Sequence, residues 1–152
     1  MKKPLRLYLT CAIAMTTAAW VSPAAADPGR GAQVLCYVWS NNPSTAVGTA
    51  YVPSTTYSYN TVGRSNANTV TRNGVGTYTV NCGGVGGGAL FAGSGTWGAG
   101  GHVQVTAYGS EDADYCKVGG WSTGGSTFSA TVRCYNSAGA LSDNRFDLLF
   151  VW

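Results

Sequence analysis

Charge is scarce in this chain: nine Lys and Arg and six Asp and Glu make up 10% of its 152 residues. Three of the nine cations, Lys2, Lys3 and Arg6, sit at the very start, leaving six cations against six anions in the rest. A near-neutral chain with no Lys or Arg cluster has no footprint for a phosphate backbone, which argues against nucleic acid as a partner. The same balance argues against electrostatic adsorption on anionic membranes. Histidine is nearly absent as well. His102 is the only one, so a Ser-His-Asp triad or a histidine general base would have to use it, and no G-x-S-x-G elbow accompanies it. Closely spaced C-x-x-C or H-x-x-x-H pairs are missing, which removes the usual zinc knuckles. Apolar residues at helical spacing are missing beyond the N-terminal stretch.

The few carboxylates are dispersed. Asp143 and Asp147 are four residues apart and on one strand would be separated by about 13 Å, beyond the roughly 5 to 9.5 Å of a glycosidase pair. Glu111, Asp112 and Asp114 form the one acidic cluster, and Asp112 with Asp114 are the candidate calcium ligands. A solvated turn is the preferred reading, because the remaining oxygen ligands of a calcium site cannot be identified. No catalytic residue, metal or cofactor is therefore assigned.

What is present sets the compartment. The basic start is followed by an apolar run from Leu7 to Val21 and by Ser22-Pro23-Ala24-Ala25-Ala26, with small residues at the minus-three and minus-one positions. This is the layout of a cleaved secretory signal over residues 1–26, so the protein is expected to be secreted and extracellular. The run is short and ends in an A-x-A site, which fits cleavage rather than a retained anchor, and no stable membrane insertion is expected afterwards. A membrane β-barrel is suggested by Phe146, Leu148, Phe150 and Trp152 on one face, but such barrels need at least eight strands of roughly ten residues. The remaining 126 residues suit one domain. Residues 27–33 read as a flexible leader and 34–152 as the domain itself.

Alternation with a period of two recurs along that domain. Phe128, Ala130, Val132 and Cys134 point one way and Ser129, Thr131, Arg133 and Tyr135 the other. Val103, Val105 and Ala107 alternate with Gln104, Thr106 and Tyr108; Tyr78, Val80 and Cys82 alternate with Thr77, Thr79 and Asn81. Residues 34–40 and 145–152 are apolar on both faces, as in strands at the middle of a sandwich. Asn73-Gly74 marks a hairpin turn and Thr123-Gly124-Gly125-Ser126 another. Together these give an all-β fold, an antiparallel β-sandwich or jelly roll of seven to eight short strands, with a small β-barrel as the alternative.

Four cysteines remain after cleavage, an even number in a secreted chain, so two disulfides are expected. Symmetry about Gly125 sets Cys116 across from Cys134 and Val118 across from Val132, at a separation a disulfide can bridge. Cys36 and Cys82 pair by subtraction. Residues 83–101 hold ten glycines in nineteen positions, including Gly93-Ser94-Gly95-Thr96-Trp97-Gly98. A dinucleotide fingerprint needs a following helix, and a strand from His102 follows instead, so this is a long inter-strand loop pinned by Leu90, Phe91 and Trp97.

Aromatics are plentiful. After the expected cleavage, Trp39, Trp97, Trp121 and Trp152 with eight of the nine tyrosines serve either core packing or a sugar-binding platform. Tyr57, Tyr59, Tyr108, Tyr115 and Tyr135 fall among polar neighbours. Trp97, Trp121 and Tyr108 are the candidate binding residues. The ligand class is a carbohydrate or a protein of the extracellular surroundings.

The succession Gly76-Thr77-Tyr78-Thr79-Val80, Val103-Gln104-Val105-Thr106-Ala107-Tyr108-Gly109, Cys116-Lys117-Val118, Trp121, Val132-Arg133-Cys134-Tyr135, Gly139 and Phe146-Asp147-Leu148-Leu149-Phe150 resembles a set of small secreted bacterial β-rich proteins with no assigned activity. The resemblance covers residues 35 to 152. It implies a single domain and the Cys116 to Cys134 pair, and carries over no functional site. The long glycine tract and the pair Cys36 and Cys82 depart from that pattern. The expectation is a non-enzymatic extracellular binding, surface or structural domain. A carbohydrate-binding module using exposed Trp and Tyr, or a protease inhibitor presenting a rigid loop, are the alternatives, and a hydrolase is disfavoured by the lone histidine.

Overall fold

A computed structural model describes residues 34–62, 67–86, 101–109 and 113–151. The expected signal and leader, Trp97, Asp112, Trp152 and most of the glycine-rich loop lie outside the described residues. Nine strands are present among the described ones: β1 (Val34–Ser40), β2 (Ala50–Tyr51), β3 (Tyr59–Asn60), β4 (Asn68–Gly74), β5 (Thr77–Gly83), β6 (His102–Tyr108), β7 (Tyr115–Ser122), β8 (Thr127–Tyr135) and β9 (Arg145–Val151). They form two antiparallel sheets, ordered β3-β1-β9-β6 and β2-β4-β5-β8-β7. The sheets do not close into a barrel, so the architecture is the sandwich. Two more strands exist than the sequence pattern suggested at its lower bound, because β2 and β3 are two residues long and leave almost no periodic signal.

The core lies between the sheets. Cys36, Val38, Phe146, Leu148 and Phe150 face it from the four-stranded sheet, and Val70, Tyr78, Val80, Phe128, Ala130, Val132 and Cys134 from the five-stranded one, all essentially inaccessible. Phe128 and Phe150 stack across the interface with ring centres 4.1 Å apart, and Tyr78 meets Phe146 at 5.2 Å. Each buried phenyl ring contributes roughly 3 to 5 kcal/mol by the measure of truncation to alanine.

Register is where the sequence pattern and the structure part. The first hairpin turns at Val75 and Gly76, not at Asn73-Gly74, with Val70 opposite Val80, Arg72 opposite Tyr78 and a bulge between Arg72 and Gly74. A two-residue turn at Asn73-Gly74 would have set inward Val70 against outward Thr77; the observed register puts inward residues on the same face. Gly76 adopts φ of 62°, and a Cβ there would lie 2.5 Å from the Cys134 carbonyl oxygen. In the second hairpin, Cys116 opposes Cys134 and Val118 opposes Val132. A bulge between Val118 and Gly120 then shifts the register by one, so that Trp121 opposes inward Ala130 rather than outward Ser129.

Two disulfides brace this frame. Cys116 and Cys134 link adjacent strands, and Cys36 and Cys82 link β1 of one sheet to β5 of the other. Sequence separations of 18 residues for Cys116 and Cys134 and 46 for Cys36 and Cys82 correspond, in the chain-entropy account, to about 3 and about 4 kcal/mol. Beside the bridge of Cys36 and Cys82, Asn68 is wholly buried yet fully engaged. Its Oδ1 accepts from Asn60 Nδ2 at 2.9 Å, and its Nδ2 donates to the Tyr59 carbonyl at 3.0 Å.

The other end is tied by Asp143, just before β9. Its carboxylate accepts from Arg72 Nε at 2.9 Å and Nη2 at 2.7 Å, from the Gly76 amide at 2.9 Å and from the Tyr78 hydroxyl at 3.0 Å. Burial pushes this carboxyl up, but the bonds from Arg72, Gly76 and Tyr78 together outweigh it and hold the group below the ordinary carboxylate range. Burial, and then the bond to Asp143, pushes the Tyr78 hydroxyl well above its ordinary value.

Candidate functional site

The inner strands of the four-stranded sheet, β1 and β9, carry large side chains on both faces. Cys36, Val38 and Ser40 go inward along β1, which turns Tyr37 and Trp39 outward; Phe146, Leu148 and Phe150 go inward along β9, which turns Asp147 and Leu149 outward. Register completes the rows. Asp147 lies between Trp39 of β1 and Thr106 of β6, and Tyr37 lies between Tyr59 of β3 and Leu149. The pattern read as two-faced burial therefore marks a partly open outer surface, not a third layer.

That surface is hollowed. Tyr37, Trp39, Tyr57, Tyr108 and Asp147 line a cleft of about 260 Å3. Tyr57 reaches it from the segment before β3, where the Ser58 hydroxyl accepts the Trp39 backbone N–H at 3.2 Å and so holds that segment against the edge of β1. Tyr57 and Tyr108 meet the Trp39 ring edge-on, with centres 5.1 and 5.9 Å away and planes inclined by 85° and 84°. Both tyrosines are at least half exposed, at 60% and 50%. The rings thus stand as walls around a space instead of lying as one flat platform.

The polar chemistry of the cleft is incomplete. Trp39 Nε1 and Asp147 Oδ1 are the two buried side-chain polar atoms of the described residues that have no hydrogen-bond partner. One is a pure donor and the other a pure acceptor. Burial first, then the pull of the nearby Asp147 carboxylate and its charge, with a smaller effect from Tyr108, push Tyr37 up to about 12. Arg145, two residues before Asp147 on the same outward side, is exposed and makes no ion pair with it; the ion pair among the described residues joins Arg72 and Asp143.

The residues singled out from sequence separate. Tyr108 belongs to the cleft. Trp121, on β7 of the other sheet, rests against Phe128 and Phe150 with ring centres 6.5 and 6.0 Å away, so it caps the edge of the core. Trp97 and Asp112 lie outside the described residues. Asp114 Oδ2 accepts from Asn144 Nδ2 at 2.9 Å, and among the described residues no three His, Cys, Asp or Glu side chains gather as metal ligands would. His102 is exposed at the start of β6, opposite Val151 and four residues from Thr106 in the cleft row. Sequence reasoning passed over Tyr37, Trp39, Tyr57 and Asp147 as a group. The available signal was Tyr37-x-Trp39 and Asp147-x-Leu149 on the non-core sides of strands whose core sides were already full.

Outside the cleft the exposed chemistry is of a different kind. Tyr115 and Tyr135 stack at 5.1 Å on the outer side of β7 and β8, and Lys117 Nζ lies 4.9 Å from the Tyr135 ring centre. These groups partner one another and leave no vacancy comparable to that at Asp147.

No helix of the described residues is long and apolar enough to cross a membrane. No family model, no curated protein and no solved structure matches the chain.

Proposed function

We propose that this chain is a secreted, non-enzymatic binding domain whose ligand sits in the cleft between Tyr37, Trp39, Tyr57, Tyr108 and Asp147. One observation carries the reading: Trp39 and Asp147, which line the same aromatic hollow, are also the two described residues with a buried side-chain polar atom that has no partner, the donor Nε1 and the acceptor Oδ1. Folded proteins pair buried polar atoms, and each orphan forfeits about 1 to 3 kcal/mol. Two orphans at one place are explained by a partner that arrives from outside. The contrast with Asn68 and Asp143, whose bonds are complete, supports this assignment.

Secretion is supported by the signal-like N-terminus and by two disulfides, which persist in oxidising surroundings. A binding role is favoured over catalysis because the residues lining the cleft include one carboxylate and no histidine, cysteine or serine. A thermal-shift panel of monosaccharides, amino acids and organic ammonium ions tests the reading, since a ligand that binds only the folded state raises the melting temperature. The shift is expected to vanish in Trp39→Leu and to persist in Trp121→Leu. Loss of the shift in Trp121→Leu alone would move the site elsewhere.

A further inference from the structure

We infer that the cleft takes a small alkylated ammonium group that carries an oxygen acceptor close to its nitrogen, as in choline or glycine betaine. The inference rests on the cleft being a ligand site and names the ligand's chemistry. Three features select a cation over a neutral sugar. The walls are electron-rich: one indole and three phenol rings border the space, and a cation is attracted to ring faces. The rings meet at near-perpendicular angles of 85° and 84° and so form a corner, whereas a sugar ring is held by stacking on a flat aromatic surface. Among the described residues the negative charge is also uncompensated, because Asp147 Oδ1 is buried with no donor and no cationic side chain there pairs with it.

The remaining orphan defines the second half of the ligand. Trp39 Nε1–H needs an acceptor, and none of the described residues supplies one. A bare tetraalkylammonium would offset the charge of Asp147 without donating to it and leave the indole unpaired. A hydroxyl or carboxylate a few bonds from the ammonium gives the indole an acceptor while the cation offsets the carboxylate, and a cleft of about 260 Å3 has room for such a headgroup but lies below the roughly 300 to 1,000 Å3 typical of drug-sized sites.

Isothermal titration calorimetry of the full folded protein with choline, and with 3,3-dimethylbutan-1-ol as its uncharged counterpart of the same shape, separates charge from shape. Choline is expected to bind at least about tenfold more tightly than the alcohol, the scale of a desolvated cation–π contact joined to a carboxylate. Asp147→Asn should erase most of that difference while leaving the weak affinity for the alcohol in place, and Trp39→Leu should weaken both. Circular dichroism of each variant verifies that it is folded, and tetramethylammonium, which lacks the acceptor, should bind more weakly than choline. Equal binding of choline and the alcohol would overturn the inference. So would a monosaccharide that binds in the cleft while choline does not, although the binding-domain reading would then survive. If no compound of any class binds there, both fall.

Discussion

Asp143 and Asp147 stand four residues apart and do opposite things. Asp143 ends the connection into β9, where two guanidinium nitrogens, a backbone amide and a phenol converge on it. Asp147 sits inside β9 and keeps one buried oxygen with no partner. A complete set of donors makes a carboxylate part of the frame. An incomplete set leaves interaction energy unspent in the free protein, and that energy is available to a ligand.

The contrast is broken most severely by Asp143→Ala. It strands the Gly76 amide and the Tyr78 hydroxyl and should lower stability by about 2 to 3 kcal/mol in chemical denaturation, with no change in ligand selectivity of the surviving folded fraction. The pH dependence follows from the lowered folded value. The contribution of Asp143 is complete above the ordinary carboxylate value of about 3.9 and is lost as pH falls through the lower folded value, so Asp143→Asn should flatten the acid limb of the stability curve.

The aromatics give the next largest effect. Trp121→Leu should reduce stability by about 1 kcal/mol through lost contact with Phe128 and Phe150 and leave binding intact. Trp39→Leu should cost a comparable amount through lost contact with Tyr57 and Tyr108 and, unlike Trp121→Leu, abolish binding. Asp147→Asn sharpens the comparison further: its unfolding free energy should stay within about 0.5 kcal/mol of the parent, because the oxygen it modifies has no protein donor to lose. The smallest effect is at high pH. With Tyr37 raised to about 12 in the folded state, its contribution is present below the ordinary tyrosine value of about 10 and fades as pH climbs from there toward 12. Tyr37→Phe should reduce the alkaline fade and leave the part due to Tyr78, read in tyrosine absorbance and in denaturation midpoint.

The strands of the sandwich were legible because their signal is local. Alternation along residues 102–108 and 127–135 and symmetry about Gly125 depend on neighbours within one hairpin, and β6, β8 and the opposition of Cys116 to Cys134 follow from them. Two local surprises escaped. The bulge after Val118 rotates Trp121 from the outer face to the core edge, and glycine on either side of a bulge looks the same in sequence as glycine in a plain strand. The turn at Val75 and Gly76 is chosen by which register buries Val70, Tyr78 and Val80 together, and Asn73-Gly74 yields to that packing.

The cleft was illegible for a different reason. It is assembled where β1 and β9, from opposite ends of the domain, lie side by side with β6 beyond, and nothing in the spacing of Trp39, Tyr57, Tyr108 and Asp147 announces that order. Tyr108 stood out because it is an aromatic among polar neighbours. Asp147 did not, because a carboxylate weighed only as half of a catalytic pair with Asp143 loses its meaning once the pair is rejected.

The central claim, that the orphaned groups of the cleft await a ligand, is tested most directly by the indole 1H–15N resonances recorded while the protein is titrated with monosaccharides, amino acids and organic ammonium ions. The account expects the Trp39 Nε1–H signal to shift saturably with at least one of them, as an acceptor reaches that donor, while the Trp121 signal stays in place. Saturable movement of the Trp121 signal with Trp39 unmoved, or no movement of Trp39 with any compound, would contradict it.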